Sequence, residues 1–539
     1  MSVRAKTSLP LLRGRRPDSL LKAASWRDGM ATKPYLIDIC LAVAVGLAVL
    51  LVHDVPYMLH HSFWVDEGWV ADSARAKITL VPSMTSSTPL GWSLLLRLVP
   101  FGGPQRLRLV PLGFTMLAAA AGYLFGRELR LTRFVTGILT GAAVLLAPSM
   151  LLRDDLKQYT AEAFGCLVLW VLVARVENEW RRRRLIAIAA VGSVGMLFAN
   201  TVIFVGVAAM AALALECLVR RDYRRLLEIA AASAGMLIVG LVIYKVVIHP
   251  GSRLTDAPMP SSHYMPISNP AAAAHFLSRQ LRSLVPYMGF NHLIIDVVLV
   301  LAGIAALIWL RRYALAAMFP IMLALVLLAS AAHKYPFGNA RTSTFWLVAV
   351  PVLMAVAVAA GAHLAGRIDR RAPLLVAALG LAVWVPATNS DIRAHSIPNE
   401  DVYSEITYLE AHFRHPDVVI VSYGASFGFA YYYPATPSFP VDAVTPDGYG
   451  VAYPQLPWMV VMTNRQPTDI ANALAAAENK IAAEPASARG RIWIIRSHQT
   501  PLEVRTWQAE LAGAPVETIR VGPEPILLDR YRPAIHGPR

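Results

Sequence analysis

Runs of about twenty predominantly apolar residues recur from Tyr35 to about Ala387, each long enough to cross a hydrocarbon core of about 30 Å as a helix. In lipid a helix satisfies its own backbone groups, so the pattern predicts an α-helical polytopic membrane protein with about eleven transmembrane helices. They are placed at about 35–53, 107–126, 134–151, 161–175, 185–199, 201–219, 226–248, 291–310, 314–332, 344–365 and 373–387. Beyond about 388 the pattern changes. Asp401 to Phe413 has a helical period, Asp417 to Ser422 reads as a buried strand, and Ser426 to Tyr433 suits either. Arg491 to Arg496 is another strand, Pro501 to Leu511 a helix, and Val516 to Val521 a last strand. Residues 388–539 are thus expected to form a soluble α/β domain. Gly424, Gly428, Gly448 and Gly450 lack a phosphate-binding spacing after a strand, so no nucleotide site is assigned.

The connections carry a second pattern. Lys and Arg near helix ends are retained on the cytoplasmic side, and residues 1–34 are basic, with Arg4, Lys6, Arg13, Arg15, Arg16, Lys22, Arg27 and Lys33. With this segment inside, every loop assigned to the cytoplasm is also basic: Arg127 to Arg133, Arg175 to Arg184, Arg220 to Arg225, Arg311 with Arg312, and Arg367 to Arg371. The odd number of crossings then exports the tail.

Composition agrees with this reading, since the 539 residues are 56% hydrophobic and 16% charged, against about 25% charge in a typical globular domain. The net charge of +15 is explained by the cytoplasmic loops and implies no nucleic acid. Cys40, Cys166 and Cys217 all fall in predicted membrane helices, which leaves the exported parts without a disulfide.

Two exported loops are long, the first over 54–106 and a second over 249–290, and long loops in compact proteins are usually functional. The first holds Pro89 to Phe101, apolar but too short to span, which is read as an interfacial helix. The second, rich in Pro, Ser and His, is read as a lid.

Ionisable groups at the outer rim are the first functional candidates, because they are expensive there unless paired or used. Asp66 and Glu67 are adjacent and flanked by Trp64 and Trp69, residues typical of the membrane interface. Repulsion between the carboxylates would raise the pKa of one, making it a general base, or the two would share a cation. A solvated pair in a loop is the bland alternative. A second cluster contains Arg153, Asp154, Asp155, Lys157, Gln158, Tyr159 and Glu162; a third contains His333, Lys334, Tyr335, Asn339 and Arg341. Anchoring to the interface is the alternative for these cations. All three clusters fall on the same expected face. Carboxylates beside a cationic, aromatic rim suit transfer from a lipid-linked phosphate donor.

The order and sidedness of these motifs resemble the GT-C superfamily of membrane glycosyltransferases, near its protein O-mannosyltransferase, aminoarabinose lipid A transferase and RgtA/B/C/D-like members. The resemblance covers about residues 35–365 within a transmembrane domain of 35–387. Asp66-Glu67, the Ser87-Thr88-Pro89-Leu90 stretch, Asp155 with Lys157 and Tyr159, and Tyr335-Pro336-Phe337-Gly338 with Arg341 carry it. It implies an inverting glycosyltransferase using a polyprenyl-phosphate sugar donor, with Asp66, or next Glu67, as the base. Lys157, Arg341, Lys334 and Arg153, with Tyr159 and Tyr335, would hold the donor phosphate, and Asp155, Glu162 and His333 would support the acceptor side. A divalent metal is left open by the family. The acceptor would be an extracytoplasmic glycan, lipid or protein, and the place a bacterial plasma membrane. A lipid-linked sugar transporter or flippase, and an O-antigen ligase or polymerase, are the competing expectations.

Overall fold

A computed structural model of the chain describes residues 33–84, 88–99, 104–132, 134–150, 156–248, 261–393, 400–440, 449–485, 490–522 and 528–531. Among them, six helices have the length and apolar composition needed to cross a membrane: Leu109–Glu128, Tyr159–Asn178, Val202–Val219, Tyr223–Ile248, Tyr313–Ala331 and Ala340–Ala365. Shorter apolar helices occur at Leu36–Val52, Val135–Leu145, Leu293–Trp309 and Ala372–Thr388. Val135–Leu145 ends before the expected 151 because Pro148 disfavours helix in the residue preceding it.

The two ends of the bundle differ in chemistry. Leu109–Glu128 has 20 residues and so a length of about 30 Å. Arg108 precedes one end, while Arg127 closes the other and binds Asp38 at 2.5 Å. The arginine-rich connections gather at the Arg127 end. Arg175 pairs with Glu128 at 2.8 Å, Arg312 donates to Asn178 at 2.5 Å, Arg182 meets Glu228, and the Arg220 guanidinium lies over Tyr313. The acidic and aromatic candidates belong to the Arg108 end.

The tail contains a five-stranded sheet in the order β2-β1-β3-β5-β4: β1 Val418–Val421, β2 Met459–Val461, β3 Ile492–Ile495, β4 Val516–Ile519 and β5 Leu528–Tyr531. The first three pair in parallel, with Val419 opposite both Met459 and Trp493, and the β4–β5 hairpin adds antiparallel through Trp493 and Arg530. Strands β1 and β3 are wholly buried, which is why both read as continuous apolar runs. The ambiguous stretch after β1 is the helix Tyr423–Tyr432. The expected last strand, Val516–Ile519, is followed by β5, whose four residues, Leu528 to Tyr531, have no period-two pattern that would mark a strand in sequence.

Helix Leu90–Arg97 confirms a short helix in the first loop. It packs against its neighbours: Trp92 and Leu96 are fully buried, Trp92 Nε1 donates to the Leu156 carbonyl at 2.8 Å, and Arg97 closes the end of helix Val65–Arg75 through the carbonyls of Ala74 and Ala76. Phe101 lies outside the described residues.

Candidate active site

Asp66 and Glu67 occupy the first turn of helix Val65–Arg75. Neighbouring residues on a helix point about 100° apart. The two carboxylates point apart, and each is paired separately, Glu67 with Arg108 and Asp66 with Lys157 and Arg341.

Glu67 and Arg108 are both fully buried, with side chains 0% exposed. Arg108 clamps both carboxylate oxygens, Nε to Oε1 at 2.8 Å and Nη2 to Oε2 at 2.5 Å, and the Leu156 backbone N–H adds a third donor at 3.1 Å. The remaining Arg108 donors reach the carbonyls of Met58, His61 and Ser62, and its plane lies over the Phe63 ring. This planar, bidentate pair ties three segments of the bundle together. Arg108 was missed by the sequence reading, although an arginine at the head of an apolar run is itself a signal.

Asp66 keeps access to solvent, its side chain being 30% exposed. Its Oδ2 accepts from Arg341 at 2.5 Å and pairs with Lys157 Nζ at 3.2 Å. Residues from three remote parts of the sequence thus meet at one carboxylate. Arg341 lies 4.5 Å over the Trp64 ring and 5.6 Å over Tyr159, and Lys157 lies 5.5 Å over Trp69. These ring faces hold the cations in place. Burial by itself opposes ionisation of Asp66, but the charges and hydrogen bonds of Lys157 and Arg341 outweigh it and hold the carboxyl well below the usual carboxylate range. The expectation of a raised pKa from mutual repulsion is therefore corrected for Asp66, because each acid is matched by basic groups.

Arg341 is aimed by a turn that was legible in sequence. Gly338 adopts φ +93°, a conformation costly for any residue with a Cβ, and the Phe337 N–H donates to the His263 carbonyl at 2.9 Å. Asn339 Oδ1 then accepts from Arg341 N at 2.9 Å and caps helix Ala340–Leu347. Tyr335 supports this turn by donating to the Thr342 carbonyl at 2.7 Å, and burial pushes its phenol pKa up, keeping it a neutral donor. The second long loop, through its helix Pro270–Leu284, packs on the same turn, with Ser283 donating to the Gly338 carbonyl at 3.4 Å.

The other candidates divide. Tyr159 lines the Arg341 cage, and Glu162 is buried one turn further along with Gln158 donating to it at 3.4 Å. Lys334 and His333 are exposed, and among the described residues no ion pair or hydrogen bond joins either to Asp66. Arg153 and Asp155, with Asp154 and Ser87, lie outside the described residues. Among the described residues no group of three His, Cys, Asp or Glu could hold a metal ion, and Asp66 is already matched by two cations. A divalent ion does not fit that donor set.

Tail residues complete the site, which no sequence signal indicated. Glu400 Oε2 accepts from the Val65 N–H at 2.9 Å, placing a carboxylate at the positive end of the Asp66 helix, and its Oε1 binds His498 Nδ1 at 2.5 Å. Tyr432 Oη accepts from Phe63 N at 2.7 Å, and Tyr449 Oη donates to the Trp69 carbonyl at 3.0 Å. Trp69 also stacks on Tyr449. Trp64 and Trp69 are buried beneath this cover and the two cations, not displayed as interfacial anchors. The backbones come close at Gly68, where a Cβ would stand 2.8 Å from the Gly428 backbone nitrogen. Gly68→Ala is expected to push the tail from helix Val65–Arg75, seen as faster proteolytic release of the tail and at least partial loss of activity.

No family model and no curated protein matches the chain. Solved structures do. ArnT from Cupriavidus metallidurans bound to undecaprenyl phosphate superposes with a TM-score of 0.54 at 12% identity, over 94% of this chain and 100% of that one. The same protein in the apo state gives 0.51 at 13% identity, over 95% and 98%. The Archaeoglobus fulgidus oligosaccharyltransferase in the apo form gives 0.51 at 10% identity, over 88% of this chain and 70% of that one. Both proteins are GT-C glycosyltransferases, and at these identities the likeness is one of fold.

Proposed function

We propose that the protein is an inverting membrane glycosyltransferase that moves a sugar from a polyprenyl-phosphate donor to an extracytoplasmic acceptor. The observation that carries this reading is the accessible carboxylate of the adjacent pair, Asp66, held between Lys157 and Arg341 at one end of a GT-C bundle. That one solved relative in fold binds undecaprenyl phosphate supports a lipid-phosphate donor. We place about eleven helices across a bacterial plasma membrane, with residues 1–34 cytoplasmic and 388–539 outside.

In this mechanism Asp66 takes the proton of the acceptor hydroxyl, whose oxygen bonds to the anomeric carbon from the face opposite the phosphate. The carbon–oxygen bond to phosphate breaks, and polyprenyl phosphate leaves with the electron pair. Lys157 and Arg341 stabilise the charge that develops on it, at the point where such stabilisation lowers the barrier most. A base held far below neutral pH accepts protons poorly. Binding of the donor phosphate answers this, because it draws the same two cations from Asp66 and lets the carboxylate regain proton affinity. Glu67, locked by Arg108, fixes the helix that presents Asp66 and takes no proton.

The test is transfer of radiolabelled sugar in membranes from a panel of polyprenyl-phosphate donors, with wild-type and Lys157→Ala protein at matched expression. Wild type is expected to label an acceptor from at least one donor, and Lys157→Ala to lose about tenfold or more, the scale of a charge-assisted contact to phosphate. No labelling from any donor would remove the glycosyltransferase reading.

A further inference from the structure

Helix Val65–Arg75 presents different faces to different partners. Gly68, Asp72 and Arg75 recur at i, i+4 and i+7 and form one stripe toward the tail. Asp66 lies off this stripe, toward Lys157 and Arg341. Beyond the close contact at Gly68 the tail diverges, and the gap is a cleft of about 680 Å³. Asp72, Arg75 and Lys77 line it from the helix side, and Tyr433, Thr436 and Phe439 from the tail. The volume is that of a small-molecule site.

Asp72 at the wall of this cleft is 1% exposed, and its Oδ2 has no hydrogen-bond partner. Among the described residues no salt bridge is formed to it. Burial raises its pKa well above the usual value, with Arg75 only partly opposing, which favours the protonated form, able to donate as well as to accept. Arg75 is engaged elsewhere, its guanidinium over the Tyr431 ring at 3.6 Å and donating to the Tyr431 carbonyl at 2.5 Å. A buried polar atom without a partner calls for an explanation. Neighbouring aromatic rings, including Tyr433 stacked on Phe429, and the exposed hydroxyls of Thr436 and Ser438 at the rim give the combination that recognises a sugar: apolar ring faces beside short polar groups.

We propose that this cleft binds a hydroxyl-rich glycan, with Asp72 hydrogen-bonded to a sugar hydroxyl, and that the glycan is part of the acceptor. The last clause rests on the glycosyltransferase reading. Asp72 lies six residues beyond Asp66, about 9 Å along the helix axis and about 120° around it, so a unit seated in the cleft is separated from the base by the helix flank, which a glycan of several units is long enough to pass. Binding energy from such remote units is what positions a reacting hydroxyl.

The experiment is retention of oligosaccharides by the full-length protein in detergent, the probe being the mild-acid-released glycan fraction of the host envelope, read by mass spectrometry. Wild type is expected to retain a component. Thr436→Trp, which fills the cleft from an exposed rim position, and Asp72→Asn are each expected to retain about tenfold less. Asp66→Asn, outside the cleft, is expected to retain it as wild type does. Equal retention by wild type and Thr436→Trp, or no retention by any form, overturns the cleft. Loss in Asp72→Asn alone overturns it too, because that marks Asp72 as a folding residue. Should Asp66→Asn transfer sugar normally while Thr436→Trp fails to bind glycan, the base assignment falls and the cleft stands.

Discussion

Asp66→Asn is expected to lower sugar transfer by about 10²–10⁴-fold, the usual contribution of a positioned general base, while the protein still folds. The substitution keeps the shape of the side chain and removes its charge. Lys157 and Arg341 lose their anionic partner in the free protein, so binding of polyprenyl phosphate is expected to hold or tighten. Loss of turnover with retained phosphate binding separates a base from a residue that merely orders the cations. The pH profile of the wild type gives a second reading. A base acts only when ionised, so the rate falls as pH drops through its pKa. In the free protein that pKa is held below the usual carboxylate range, which puts the acid limb of kcat/KM below about 3.9. Once phosphate has drawn the cations away, the acid limb of kcat is expected at higher pH. Coincident limbs, or full activity in Asp66→Asn, would remove the proposed exchange of partners.

Arg108→Met is expected to destabilise the fold by about 3–5 kcal/mol, because it leaves the fully buried Glu67 carboxylate without its cation. Chemical denaturation in detergent, or thermal aggregation, measures it. The double variant Glu67→Leu with Arg108→Met removes both charges and is expected to recover much of the loss, since breaking a buried pair is costlier than replacing it. Glu67→Gln separates the two roles considered for this residue. If Glu67 only holds the helix, stability and activity fall together. Intact stability with lost transfer would instead make Glu67 the base.

The proposed site lies where a bundle end, a loop helix and the tail meet, and that arrangement explains the packing. The Asp66 helix receives Glu400 at its start and Arg97 at its end, and it meets the tail helix Tyr423–Tyr432 backbone to backbone at Gly68. A carboxylate that must be shared between two cations and a reacting hydroxyl needs such immobilisation, because small displacements at a reacting centre lower the rate steeply.

The hydrophobic pattern alone determined that this is a bundle of apolar helices with a small α/β tail, since a run that must satisfy its backbone in lipid has few alternatives. Charge in the connections sorted the arginine-rich loops from the acidic and aromatic ones, and the structure gathers them at opposite ends of Leu109–Glu128. The turn from Pro336 to Asn339 was legible for the same local reason, a glycine at positive φ followed by a capping Asn. The tertiary structure decided everything that depends on direction. Asp66 and Glu67 are indistinguishable as a dipeptide, and only the helix phase turns one toward Lys157 and Arg341 and the other toward Arg108. Lys157 and Lys334 look alike as rim cations, yet only Lys157 reaches the carboxylate. Glu400 and Tyr449 carry no local mark, because a side chain that reaches a helix more than 300 residues away is specified by the packing of the tail and not by its neighbours in sequence.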